Sequence, residues 1–215
     1  MSAAPKPRAK PGRPLKPLIT KDAAIAAAIE LVDRDGLAAL SVQAVARAMN
    51  VTAPSLYHHF KDKDELLQRV ARALLLEVGE QSQGESDWED RAMQLSIATR
   101  RVVMRHCNAA PLMLSFFPRS LMLDAYETML RDCPYPPHAH AAILESIEKL
   151  TFGASLYAAT AKARHSPAMP LFDAARYPLL ADALASSAAD GEALFVETIR
   201  LLFEGFRARY GPHTS

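Results

Sequence analysis

In the stretch VTAPSLYHHFKDK, residues 51–63, two adjacent imidazoles follow a tyrosine and precede alternating charges. Tyr57, His58 and His59 could serve proton chemistry, core packing or a surface that touches something charged. Elsewhere the chemically capable residues do not assemble a site. His138 and His140 are two apart at a helix start, so they share no helical face, and no clear Asp, Glu or Cys complement supports a metal pair. Glu145 and Glu148 can face together, but no matching Glu-x-x-His set makes a diiron bundle. Cys107 lies beside His106 in sequence, which does not orient a nucleophile against a base. Neither GxSxG nor a phosphate-binding glycine motif occurs. The expectation is a protein that is not an enzyme, with no catalytic residue, metal or cofactor.

Over 215 residues, 50% hydrophobic and 23% charged composition supplies a core for one sizeable domain, or for a small domain fused to a larger one. The formal net charge of +1 conceals a division along the chain. Residues 1–72 hold 12 Lys and Arg against 7 Asp and Glu, net +5, while residues 73–215 hold 13 against 17, net −4. A basic front and an acidic remainder suggest that only the front meets a polyanion. Cys107 and Cys133 make neither a disulfide framework nor a CxxC motif, which suits free intracellular thiols. The basic start has no apolar signal segment behind it, and no run of about 18 apolar residues follows. A cytoplasmic protein with no membrane partner is expected.

An all-α protein with three parts is expected from the patterning. Residues 1–17, with five prolines, three lysines and two arginines outside any apolar period, read as a basic disordered arm. Residues 18–72 read as a compact bundle. Thr20 can cap a first helix with Ile25, Ile29 and Val32 on one face, which Gly36 ends. Ser41 can cap a second helix that stops at Asn50. Thr52 can cap a third, Pro54 fits its first turn, and Leu56 and Phe60 face inward. Asp62 and Glu65 open a fourth helix. Helix, tight turn, helix over 41–60 is the arrangement that places a second helix in a DNA major groove. Residues 73–215 read as a larger helical domain, with helices near 88–108, 119–131, 138–163, 172–187 and 190–209 punctuated by Pro111, "FFPRS", "CPYPP", "HSPAMP" and Gly191.

On the third helix, Ala53, Ser55, His58 and His59 lie wholly or partly outward, where Ser and His can reach base edges or phosphate. Tyr57 could pack its ring and send its hydroxyl to a phosphate, and Lys61 and Lys63 could add backbone contacts. A solvated polar helix with a half-buried tyrosine accounts for the same residues taken alone. The arm adds Arg13, in Gly12-Arg13-Pro14, which suits an extended arginine in a narrow minor groove.

The span from Thr20 to Leu67, above all GLAALSVQAVARAMNVTAPSLYHHFKDKDELL, resembles the DNA-binding domain of the tetracycline-repressor (TetR) family of bacterial transcription regulators. The resemblance implies that Gln43 approaches DNA from the second helix. It assigns Ala53, Pro54, Ser55, Tyr57, His58 and His59 to the recognition-helix contact region and Lys63 to backbone phosphate; Thr52, the cap before them, is taken as a further DNA-binding candidate. It also implies a homodimer on an approximately palindromic operator, with repression as the default output and a small-molecule effector. His106, after an apolar helix, resembles in position a ligand-contacting histidine of the family, but RHCNAAPL around it departs from the pattern and a polar role at the helix end suits it better. Phe116, Phe117, Met122, Tyr126, Phe152, Tyr157, Met169 and Phe172 could line an apolar effector cavity, though each also suits ordinary core packing.

The last helix is apolar on more than one side. Phe195, Ile199, Leu202 and Phe206, with Phe203 beside them, suggest burial both within the domain and against a second subunit. Ile143, Ile147, Leu150 and Ala154 offer a partner face for an intersubunit four-helix bundle; burial within one chain explains the same stripes. The expected function is a ligand-responsive DNA-binding regulator, most simply a homodimeric repressor; a helical interaction module without specific DNA binding is the alternative.

Overall fold

The computed structural model describes residues 20–81, 87–116, 119–167, 169–187 and 190–211. The expected arm with Arg13, and Phe117, lie outside the described residues. Every regular element among them is helical.

Helix α1, Lys21–Asp35, starts where the Thr20 hydroxyl accepts the Ala23 N–H at 3.1 Å. It ends at Gly36, with φ 83° and ψ 163°, whose N–H donates to the Val32 carbonyl at 2.8 Å. Helix α2, Val42–Ala48, is capped by the Ser41 hydroxyl, which accepts from Ala44 N–H at 3.1 Å. Asn50 takes φ 55° in the turn that follows, as a short polar side chain tolerates. Helix α3, Ala53–Tyr57, has Pro54 in its first turn. Thr52 stands at its N-cap without a side-chain cap bond; its hydroxyl instead meets that of Ser55 at 2.8 Å.

Helix α4, Lys63–Gln81, opens on a reciprocal pair. Asp62 Oδ1 accepts the Glu65 N–H and Glu65 Oε2 accepts the Lys61 N–H, both at 2.9 Å. The Lys61 N–H holds the Glu65 carboxyl below its ordinary pKa. Leu40, Val45, Leu56, Phe60, Leu66, Val70 and Leu74 are buried beneath this head, and one apolar cluster continues from them to Val102, Val103, Leu112 and Met113.

The larger domain comprises α5 (Trp88–Arg105), α6 (Ala110–Ser115), α7 (Arg119–Arg131), α8 (His140–Ala163), α9 (Pro178–Ala185) and α10 (Gly191–Tyr210). Pro111 lies in the first turn of α6, where its missing N–H costs no intrahelical bond, so it starts a helix that the sequence reading treated as a break. The expected helix over 172–187 shortens to α9 because Pro178 sets the start and pushes Tyr177 out of helical geometry, at φ −129° and ψ 61°.

A second cluster joins α5, α8 and α10 around Trp88, Ile143, Ile147, Phe195, Ile199, Phe203 and Phe206. Trp88 meets Tyr135 edge-on at 5.9 Å and Phe203 at 6.2 Å, and its indole N–H donates to the Met129 carbonyl at 2.7 Å. The expected dimer stripe is therefore largely consumed inside the chain. Ile143, Ile147, Phe195, Ile199, Phe203 and Phe206 are buried, and Leu150, Ala154 and Leu202 remain half-buried at the edge of the same cluster. Periodicity identified the apolar face, but the chain's own α5 and Tyr135 cover it. The outward apolar side chains of α10 are Leu194 and Leu201.

Gly36 occupies a backbone region that is essentially restricted to glycine. Nothing lies within 4 Å of a Cβ placed there, so the cost of Gly36→Ala is conformational, not steric. The expected loss is about 1 to 3 kcal/mol in urea unfolding; an unchanged midpoint and slope would show that the turn relaxes without strain.

Candidate nucleic-acid interface and ligand cavity

The Ser41 cap of α2, the positive-φ turn at Asn50 and Pro54 in the first turn of α3 set how α3 follows α2. Leu56 and Phe60 anchor it inward, each 1% exposed. Its outward neighbours are mostly polar. Gln43, Thr52, Pro54, Tyr57, His58, Lys61 and Lys63 are exposed, and Ala53, Ser55 and His59 are half-buried. The Gln43 side-chain amide donates to the Tyr57 hydroxyl at 3.4 Å, so α2 and α3 meet on this face as well as in the core. Arg47 is also exposed on α2, a cation outside the set of contacts expected from sequence.

Two of the cavities among the described residues of the larger domain take in expected effector residues. The first, of about 220 Å³, lies among α4, α5, α7 and α8 and is lined by Leu75, Val78, Met122, Tyr126, Thr151 and Phe152 among others. The second is a more open groove of about 780 Å³ along α8, lined by Met113, Tyr157 and Arg164, and it shares Glu148 and Phe152 with the first. The expected cavity residues therefore divide. Met122, Tyr126 and Phe152 line the inner cavity, whose Tyr126 hydroxyl donates to Glu148, and Tyr157 lines the groove. Phe116 packs against the main core, Phe172 stacks edge-on with Tyr177 at 6.3 Å, and exposed Met169 lines neither space.

His106 also lines neither cavity. It stands at the C-cap of α5, 8% exposed, with Nδ1 at 2.7 Å from Asp33 Oδ2 of α1 and Nε2 at 3.2 Å from Glu77 Oε2 of α4. Arg105 pairs with the other Glu77 oxygen, and the Asn108 amide donates to the Asp33 carbonyl at 2.9 Å. The histidine read as a ligand contact is thus a clamp between three helices. Sequence reasoning missed Asp33, Glu77, Arg105 and Asn108, because partners so distant along the chain leave no periodic signal. Among the described residues, no group of three or more His, Cys, Asp and Glu could hold a metal ion, and no helix is long and apolar enough to cross a membrane.

A family profile described as "Bacterial regulatory proteins, tetR family" matches residues 24–70, and one described as "Tetracyclin repressor-like, C-terminal domain" matches residues 81–210. The chain belongs to the TetR family of transcriptional regulators. Its helix-turn-helix head and larger all-helical domain are the family architecture. An HTH-type transcriptional regulator of Saccharopolyspora erythraea is 37% identical over 97 residues, 45% of this chain and 41% of that protein. The class D tetracycline repressor of Escherichia coli is 28% identical over 89% of this chain and 90% of its own. Among solved structures, a possible TetR family regulator from Streptomyces coelicolor superposes with a TM-score of 0.74 at 27% identity, covering 88% of this chain and 99% of the other.

The His106 clamp sets a stability prediction for this TetR-family chain. Its imidazole faces two carboxylates, so His106→Ala leaves Asp33 and Glu77 facing a void. The expected loss is about 1 to 3 kcal/mol in chemical denaturation, and a loss under roughly 0.5 kcal/mol would mean that the helices are held without the clamp.

Proposed function

We propose that this TetR-family chain is a homodimeric repressor that binds a palindromic operator through two α3 helices and is released by a small molecule held in the inner cavity. The observation that carries this reading is the continuity of α4. It begins at exposed Lys63 beside α3 and lines the inner cavity through Leu75, Leu76, Val78 and Gly79. A cavity occupant therefore touches the helix that carries the head. In a dimer competent for DNA the two α3 helices stand about 34 to 36 Å apart, one duplex turn. A ligand that favours another spacing lowers operator affinity, and a coupling of about 1 to 3 kcal/mol suffices for regulation.

Several relatives carry tetracycline in their names. Tetracycline is not proposed for this chain, because His106, the position that suggested a comparable contact, faces Asp33 and Glu77. The subunit contact is assigned to the outward face of α10, Leu194 and Leu201, with half-buried Leu150, Ala154 and Leu202 at its margin. An exposed apolar stripe on a long terminal helix suits a two-fold interface in which the same surface meets itself.

Footprinting of the purified chain on genomic fragments tests the DNA reading, and a folded protein that protects no site would favour the interaction-module alternative. Lys63→Ala is expected to weaken binding by a similar factor on all operator variants and to reduce the salt slope by about 1, whereas His58→Ala changes base preference in a randomised operator library. The opposite pattern would reverse the two assignments. In sedimentation the wild-type chain is expected to be a dimer and Leu201→Asp a monomer; a Leu201→Asp dimer would move the interface off the outward face of α10.

A further inference from the structure

A further space, of about 360 Å³, opens where α5 passes the last turn of α8 and the first turn of α10, and its lining is cationic. Arg100, Arg101 and Arg105 enter it from α5 and Lys162 from α8. Two of the four are balanced, since Arg101 pairs with Glu192 and Arg105 with Glu77. The other two have no carboxylate within ion-pair distance among the described residues. Arg100 is 7% exposed; its Nη2 donates to the Gly191 carbonyl at 3.0 Å, and its guanidinium lies over the Phe195 ring at 5.0 Å. Burial lowers its pKa in spite of Glu192 and Asp190 nearby. Glu192 is held by Arg101, and Asp190 accepts the Glu192 and Ala193 N–H groups at the start of α10. Lys162 is exposed, and its ammonium donates to the Met104 carbonyl at 2.9 Å. A carbonyl satisfies one N–H and leaves the charge uncompensated.

Both unbalanced cations keep N–H groups without a protein acceptor. Nε and Nη1 of Arg100 have no hydrogen-bond partner among the described residues, and neither is cut off from solvent. Lys162 uses one of its three ammonium hydrogens. A neutral side chain would cover Phe195 without the cost of burying a charge, so the guanidinium calls for a counterion. We propose that this pocket binds a phosphate group, free or at the end of a small polar monoester, with Arg100 and Lys162 as its direct partners. The guanidinium offers a fork and the ammonium a point charge, and together they suit an oxyanion with two negative charges. A phosphomonoester carries about −1.5 to −2 at pH 7, whereas a carboxylate carries one charge. Arg101 and Arg105 raise the positive potential of the pocket while keeping their own carboxylates. The volume leaves room beyond one oxyanion, and Met104 is the large apolar side chain in the lining, so the rest of the ligand is small and polar. None of these residues lines the inner cavity, and the inference stands apart from the effector reading.

Calorimetric titration of the full-length chain at fixed ionic strength compares glucose 6-phosphate, inorganic phosphate, glucose and glucuronate. Glucose 6-phosphate is expected to bind at least about tenfold tighter than glucose or glucuronate. The affinity of inorganic phosphate beside it tells the free group from the ester. Lys162→Gln, at an exposed site, is expected to weaken glucose 6-phosphate by about tenfold with an unchanged melting point. Arg100→Lys, which keeps the charge and loses the fork, weakens it as well. Arg164→Gln removes the same charge from the end of α8 outside this pocket and changes binding by less than about twofold. The proposal is overturned if neither phosphate compound binds, or if glucuronate binds as tightly as glucose 6-phosphate. Equal weakening by Lys162→Gln and Arg164→Gln also overturns it, because diffuse charge would then account for the binding. So does a Lys162→Gln chain that loses operator affinity with no phosphate compound present, since the pocket would then serve the duplex. Should Arg100→Lys lower the melting point, the comparison of Lys162→Gln with Arg164→Gln decides alone.

Discussion

Helix α4 belongs to two bodies at once, and the packing around it limits how either can move. Val70, Leu74 and Val78 face a cluster that also takes Ala28 and Val32 from α1 and Val102 and Val103 from α5. Interiors packed at this density do not deform smoothly, so a shift of one helix is passed to its neighbours or refused. The head cannot swing on a loose tether. Its links to the larger domain run through α4 and through the contact of the turn after α5 with α1. His106 occupies that turn and holds both links with one ring.

The cavity is built into the same constraint. Its α4 wall is the C-terminal half of the helix whose first residues flank α3, and its α8 wall shares Ile147 with the second cluster. Phe152 separates the inner cavity from the outer groove and lines both. Arg100 fastens the far side: it donates to the Gly191 carbonyl at 3.0 Å and lies over the Phe195 ring at 5.0 Å, and burial lowers its pKa. In the second cluster Tyr135 donates its hydroxyl to Glu89, its pKa raised chiefly by burial and then by that carboxylate, so the phenol stays a donor.

Local rules were the part of this architecture open to reading from sequence. Thr20, Ser41, Gly36 and Asn50 announced their caps and turns because each acts on neighbours within a few residues. The outward set around Tyr57 and His58 was legible for the same reason, since Leu56 and Phe60 decide which side faces in. What could not be read was the identity of what covers an apolar face. The α10 stripe suited both its own domain and a partner subunit, and the position of Trp88 and Tyr135 shows which of its side chains the domain itself covers. His106 misled because its neighbours in sequence say nothing of Asp33 and Glu77, and α9 was overdrawn because one proline outweighed a favourable composition.

On the proposed interface, the bond between Gln43 and Tyr57 bears on how the head would meet a duplex. Two side chains from different helices are already oriented on the exposed face, so their ordering entropy is spent during folding. A surface set in this way acts as a template, and the duplex must do more of the adjusting. Differences among operators then fall partly on how readily each sequence bends or narrows, including at base pairs that no side chain touches.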